Sequence, residues 1–186
     1  MTEGATTYYS NGKLLLTGEY VVLDGALCLA LPAAYGQYMS VTGTATGKMV
    51  WESLDEKGNV WFRAVFDLGA LRESSLRPGL HGAAETTSDR GTSDMLMNIL
   101  AAARRRNPDF PGAGGFRVTT RLGFPGNWGL GSSSTLINNI ACWANVNAYE
   151  LLWESFSGSG YDIACAQYDR PLTYRLVRKQ PVVTPV

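Results

Sequence analysis

Histidine is almost missing from this chain, and so is any imbalance of charge. His81 is the single histidine among 186 residues, and sixteen basic residues are matched by sixteen acidic ones, for a formal net charge of zero. A neutral chain has no broad basic surface to draw it onto nucleic acid or an anionic membrane. One histidine and scattered cysteines leave too few ligands to assemble a zinc site. A Ser-His-Asp hydrolase would need His81, yet no Gly-x-Ser-x-Gly elbow accompanies it, and its place in the turn at 78–82 predicts a solvated loop histidine. Cysteine is scarce too. Cys28, Cys142 and Cys165 are odd in number, widely spaced and set among apolar residues, which predicts buried, reduced thiols in a cytoplasmic protein. The longest apolar stretch, around 27–34, falls far short of the ~20 residues a membrane-crossing helix needs. The opening Met1-Thr2-Glu3-Gly4 lacks the basic-then-apolar layout of a signal peptide.

Two familiar nucleotide loops are missing as well. The segment Gly43-Thr44-Ala45-Thr46-Gly47-Lys48-Met49 is one residue too short for a Walker loop and ends in methionine where the metal-binding hydroxyl belongs. It reads better as a hairpin turn. Gly129-Leu130-Gly131 has serine at the third glycine's place of a dinucleotide fingerprint.

What remains is an ordinary globular composition, 45% hydrophobic and 17% charged, long enough for one domain with a real core. Short β-prone runs at 13–16, 26–31, 37–42, 49–53 and 60–66 are punctuated by Gly, Asn and Asp. A short helix is expected from Leu68, a loop over 82–91, and a helix over 93–106 with apolar residues at 95, 96, 99, 100 and 103. Arg104, Arg105 and Arg106 close that helix, where cations favour the negative end of its dipole. A strand follows at 116–122, a loop at 123–131, helices at 132–145 and 148–154, a tight turn at 157–160 and a last strand at 172–177. Residues 179–186, with Pro181 and Pro185, look like a connector leaving the domain. Strands first and then mixed strands and helices indicate a single α+β sandwich.

The most informative segment is Pro125-Gly126-Asn127-Trp128-Gly129-Leu130-Gly131-Ser132-Ser133-Ser134. Glycines let a backbone approach a ligand closely. The helix behind them offers unpaired N–H groups and the positive end of its dipole, an anion site. Serine hydroxyls can cap that helix or reach a phosphate-bound Mg²⁺. Three serines where one cap would suffice favour phosphate over a plain turn. Asp162, after the turn Ser159-Gly160-Tyr161, is either a helix cap or a partly buried base. Lys13 stands at the mouth of an apolar strand, where a lysine can also simply snorkel to water.

Three segments together resemble the GHMP kinases, the family of galactokinase, homoserine kinase, mevalonate kinase and phosphomevalonate kinase. The segment from Asn11 through Lys13 to Gly18-Glu19 is similar to the family's first motif. Pro125 to Ser134 resembles its Pro-x-x-x-Gly-Leu-Gly-Ser-Ser-(Ala/Ser) loop, with Trp128 where small residues are usual and Ser134 in place of the commoner alanine. Ser159-Gly160-Tyr161-Asp162 resembles the Ser-Gly-x-Asp of mevalonate-type members. The longer run through Ile163-Ala164 looks like a bacterial subgroup named for Gly-Tyr-Asp-Ile-Ala.

The resemblance implies an N-terminal ATP-binding domain over residues 1–180, with 181–186 starting a connector to a C-terminal domain not contained in this sequence. The implied fold is α+β, like ribosomal protein S5 domain 2, a mixed or antiparallel sheet with helices packed on one face. Gly129, Leu130, Gly131, Ser132, Ser133 and Ser134 would cradle the phosphates of ATP. Ser133, or Ser132, and Glu154 would hold Mg²⁺, with Glu150 as the alternative acid. Asp162 would take or orient the proton of the acceptor hydroxyl, and Lys13 would keep it ionised. The implied reaction is transfer of the γ-phosphoryl of ATP to a small metabolite, with mevalonate first and a sugar, homoserine or phosphomevalonate as alternatives. A nucleotide-binding fragment without catalysis of its own is the competing expectation, with a separate C-terminal chain or a homodimer as partner. Trp128 would either stack near the nucleotide or pack under the loop.

Overall fold

A computed structural model describes residues 4–76 and 84–186; His81 lies outside the described residues. The elements are β1 (Thr6–Leu15), β2 (Cys28–Thr44), β3 (Lys48–Leu54), β4 (Val60–Asp67), α1 (Leu68–Leu76), β5 (Thr86–Thr87), α2 (Arg90–Arg106), β6 (Gly115–Leu122), α3 (Ser132–Ala144), α4 (Ala148–Ser155), α5 (Tyr161–Gln167), β7 (Leu172–Val177) and β8 (Gln180–Pro185). Among the described residues eight strands form one sheet in the order β5-β4-β3-β6-β2-β7-β8, with β1 paired to β2. All pairings are antiparallel except β3 with β6. The sheet is mixed, as expected.

Alternation along the strands sends one set of side chains into the core. Met39, Met49, Trp51, Phe62, Phe66 and Val118 are buried from the sheet side. They pack in one cluster with Leu96, Leu100, Ile137, Ile140 and Leu151 from α2, α3 and α4. The helices therefore cover one face, and burial of that apolar surface is the main force fixing them there. A second cluster joins Ala164 and Cys165 of α5 to Cys28, Ala30, Leu172 and Tyr174, while Ile163 of α5 reaches into the first cluster, so α5 packs on β1, β2 and β7 and against α3.

Several expected boundaries shift. The runs at 26–31 and 37–42 are two ends of one 17-residue strand, β2, which bows out where Gly36 and Pro32 oppose Asn11 and Lys13. The run at 13–16 is the end of β1, which begins at Thr6. The expected loop over 82–91 contains β5, paired with β4. α2 starts at Arg90, ahead of the expected 93, because Asp89 accepts the Thr92 N–H at 2.6 Å and caps it. Gln180–Pro185, which overlap the expected connector at 181–186, form β8 and pair with β7. Its prolines fit because β8 is an edge strand, where a missing N–H leaves no ladder bond unmade. Cys28 and Cys165 are buried, but Cys142 is exposed.

Candidate functional site

From β6 the chain enters a 3₁₀ turn at Gly126–Trp128, then passes Gly129 at φ 69° and Gly131 at φ 83° before α3 opens at Ser132. No side chain caps α3. Its first internal bond runs from the Thr135 N–H to the Gly131 carbonyl. The N–H groups of Ser132, Ser133 and Ser134 lie ahead of that bond, at the positive end of the helix, where an anion is favoured. Ser133 is exposed, Ser132 half-buried and Ser134 buried at 3% exposure.

Two contacts tie this loop to β1. The Lys13 N–H donates to the Leu130 carbonyl at 2.9 Å. A Cβ on Gly131 would lie 2.7 Å from Ser134 Oγ and 3.0 Å from Lys13 Cγ. The lysine stem therefore crosses the mouth of α3, and only glycine leaves room for it. β1 itself reaches the loop through Gly12, where a Cβ would meet the Tyr35 carbonyl at 2.8 Å and the Leu130 carbonyl at 3.0 Å.

Asp162 stands in the first turn of α5. Its Oδ1 accepts the Ile163 N–H at 3.0 Å. The Ser134 hydroxyl and the Lys13 ammonium lie near enough to favour its ionised form. The Ser134 hydroxyl donates to the Gly131 carbonyl at 2.8 Å, and its single proton would have to turn from there to reach the carboxylate. Burial raises the Asp162 carboxyl above its ordinary value, against the opposing pull of backbone N–H groups, Lys13 and Ser134. Burial and the neighbouring Asp162 charge push the Tyr161 phenol up to about 12, so it stays neutral under a lysine ammonium 5.8 Å from its ring centre. The turn into α5 is fixed by Trp153, whose indole N–H donates to the Gly158 carbonyl at 3.1 Å, and by the Tyr174 hydroxyl bonding the Ser159 carbonyl.

A cavity of about 360 Å³ adjoins the serines. Trp51, Phe62, Leu96, Ile99 and Leu122 line it, and Ser132 and Ser133 stand at its edge. It is large and apolar enough for a planar ring system, beside an anion site. Trp128 does not pack under the loop: it is 57% exposed and meets Tyr35 edge-on at 6.1 Å.

The structure brings Lys13, Gly129, Leu130, Gly131, Ser132, Ser133, Ser134 and Asp162 together, but not Glu154. Glu154 pairs with Arg105 at 2.5 Å and Arg106 at 2.9 Å, and Glu150 pairs with Arg106. These arginines end α2, whereas the cavity beside Ser133 touches Thr92 and Met95 near its start. At 1.5 Å per residue the two places are roughly 20 Å apart. Glu154, the expected metal ligand, and Glu150 behind it stand instead against Arg105 and Arg106 at a helix end, away from the serines. Helical spacing alone does not tell which face each glutamate takes. Glu154→Gln is expected to leave phosphate-ion binding at the N-terminus of α3 unchanged by calorimetric titration, and to change stability by no more than about 1 kcal/mol. Among the described residues no group of three or more His, Cys, Asp or Glu is placed to hold a metal.

Comparison with known proteins adds the fold. No protein-family model matches this sequence, and no curated protein matches it. Solved structures do. The chain is similar to mevalonate kinase of Methanococcus jannaschii, with a TM-score of 0.66 and 12% identity, covering 97% of this chain and 56% of that one. Galactokinase of Lactococcus lactis complexed with galactose gives a TM-score of 0.68 at 17% identity, over 100% of this chain and 48% of that one. A D-glycero-D-manno-heptose 1-phosphate kinase from Bacteroides thetaiotaomicron gives 0.67 at 16%, over 98% and 60%. The chain spans about half the length of the solved structures it matches. Its fold is that of the N-terminal domain of GHMP kinases, as expected.

Proposed function

We propose that this chain is the nucleotide-binding half of an ATP-dependent kinase that phosphorylates a hydroxyl of a small metabolite. The observation that carries the reading is the convergence of Lys13, Ser134 and Asp162 at the uncapped N-terminus of α3. An uncapped helix end beside an apolar cavity suits a nucleotide, with the base in the cavity and the polyphosphate along residues 129–134. Asp162 then accepts the proton of the acceptor hydroxyl as its oxygen bonds to the γ-phosphorus, and the bond to the β-phosphate oxygen breaks to release ADP. Lys13 faces the charge that develops on the phosphoryl group. Such catalysis is mostly positioning and electrostatics, so few reacting side chains suffice.

The donor set fits a magnesium ion carried in by the nucleotide, since Mg²⁺ is held by one or two protein oxygens and the substrate's own phosphates. Ser133 or Ser132 would supply a hydroxyl, and the ion would neutralise phosphate charge there.

The kinship of the fold extends to kinases whose names specify mevalonate, galactose and a heptose phosphate. The Lys13 and Ser-Gly-x-Asp pairing favours a mevalonate-like acceptor from isoprenoid precursor synthesis, and a sugar is equally compatible with the fold. A second reading, nucleotide binding without turnover until a complementary C-terminal half is supplied, is favoured by the coverage of about half of each matched structure. One assay set separates them: ADP release with a panel of hydroxyl acceptors, alongside magnesium–ADP titration. Turnover with one acceptor is the expected result. Binding without turnover selects the second reading, and no binding at all removes both.

A further inference from the structure

α3 carries two adjacent asparagines at its middle, Asn138 and Asn139, where asparagine is a poor helix former. Both are buried, at 3% and 0% exposure. A buried amide left unpaired costs about 1–3 kcal/mol, so each must find partners, and these come from other elements. Asn138 Nδ2 donates to Ser10 Oγ at 2.9 Å, and its Oδ1 accepts from Gln167 Nε2 at 2.9 Å. Ser10 Oγ donates on to Asn139 Oδ1 at 2.8 Å, and Asn139 Nδ2 donates to the Gln37 carbonyl at 3.0 Å. Beside them, Asn11 Nδ2 donates to the Tyr168 carbonyl at 2.7 Å, which ties β1 to the end of α5.

The elements joined are those that carry the site. Ser10 and Asn11 lie on β1 just before Lys13, Asn138 lies one helical turn beyond Ser134 on α3, and Gln167 is the last residue of the helix that begins beside Asp162. We infer that the Ser10–Asn138–Gln167 chain, with Asn11 beside it, is a positioning network that sets β1, α3 and α5 in register so that Lys13, Ser134 and Asp162 meet. The inference rests on the kinase reading of those three residues. Its physical basis is direction. Apolar contact tolerates a small slide of one element over another, whereas a fully satisfied hydrogen-bond chain has one arrangement. α5 has seven residues, too few to stand as a helix alone, so its apolar seating and its hydrogen-bonded ties together decide where Asp162 points.

The test uses the full chain labelled with ¹³C-aspartate and follows the Asp162 carboxyl through a pH titration by NMR, in wild type, Asn138→Leu and Gln167→Ala. Lys13 and Ser134 are the side chains that favour the ionised carboxyl, while Tyr149, Tyr161, Tyr174 and Cys165 surround it as neutral groups. Loss of the network lets Lys13 and Ser134 retreat, so Asp162 is expected to titrate at higher pH in both variants than in wild type. Magnesium–ADP affinity should hold, because the cavity and the first turn of α3 are untouched. A lowered melting temperature with an unmoved titration would mean plain structural support and overturn the inference. So would a titration moved downward, as for a carboxyl merely opened to water. Should Asn138→Leu fail to fold, Gln167→Ala, at an exposed position, decides by the same criterion. A wild-type chain that binds no magnesium–ADP would defeat the kinase reading, and the titration would still decide, separately, whether the network positions Asp162.

Discussion

Asp162→Asn is expected to cut phosphoryl transfer by about 10²–10⁴-fold, the usual worth of a general base, and to raise the melting temperature at neutral pH. The two effects share one cause. Burial pushes the Asp162 carboxyl above its ordinary value, and the N–H groups, Lys13 and Ser134 offset only part of that. A carboxyl whose folded value is raised favours the protonated form in the native state. Its contribution to stability is complete below the ordinary aspartate value of 3.8 and is lost as pH climbs through the raised folded value. As pH passes that raised value the wild type loses it, and asparagine, which never ionises, does not. Each kcal/mol regained moves the melting temperature by about 2–4 °C in a chain of this size. Calorimetry at pH 7 should therefore find Asp162→Asn the more stable protein, with the gap closing as pH falls toward 4. Activity of the wild type should fall over the same window, as the base is protonated. A variant less stable than wild type at pH 7 would mean that the contacts to Lys13 and Ser134 outweigh burial, and Asp162 would then be a settled ion-pair partner instead of a strained base.

The loop is legible in the sequence because its chemistry is contiguous: two glycines and three serines at the junction of a strand and a helix carry their own meaning. Asp162 is legible for the same reason, following a glycine turn and preceding an apolar run. The structure then supplies what no local pattern contains, that α3 and α5 pack together and bring Asp162 near Ser134 and Lys13. Glu154 shows the opposite case. Counting back from Asp162 points to it, but α4 turns that face toward the end of α2, where Arg105 and Arg106 take it as a partner. β8 is hidden by Pro181 and Pro185, which weaken a central strand but not an edge. The halves of β2 are separated in the sequence by Pro32 and Gly36, which mark the bow in a continuous strand and not its end. Asn138 and Asn139 do leave a signal: paired asparagines inside an otherwise apolar helix ask for buried partners, though only the fold can say which.

Gly131→Ala should do more damage than Gly129→Ala, although both residues sit in the left-handed region, at φ 83° and 69°. An alanine there carries a strain of about 1–2 kcal/mol at either position, which predicts melting temperatures lowered by a few degrees in each. The difference lies in what the new methyl meets. At Gly129 nothing lies within 4 Å, whereas at Gly131 the methyl would press on Ser134 Oγ at 2.7 Å and Lys13 Cγ at 3.0 Å. Relief requires both side chains to move, and both are partners of Asp162. A shift of about 1 Å in such a group is enough to lose on the order of 10²-fold in rate. Gly131→Ala is therefore expected to lose turnover well beyond Gly129→Ala at similar melting temperatures, measured as kcat with saturating ATP. Equal losses in the two variants would place the whole effect in the loop backbone, and would leave the crossing of Lys13 over α3 without a part in the chemistry.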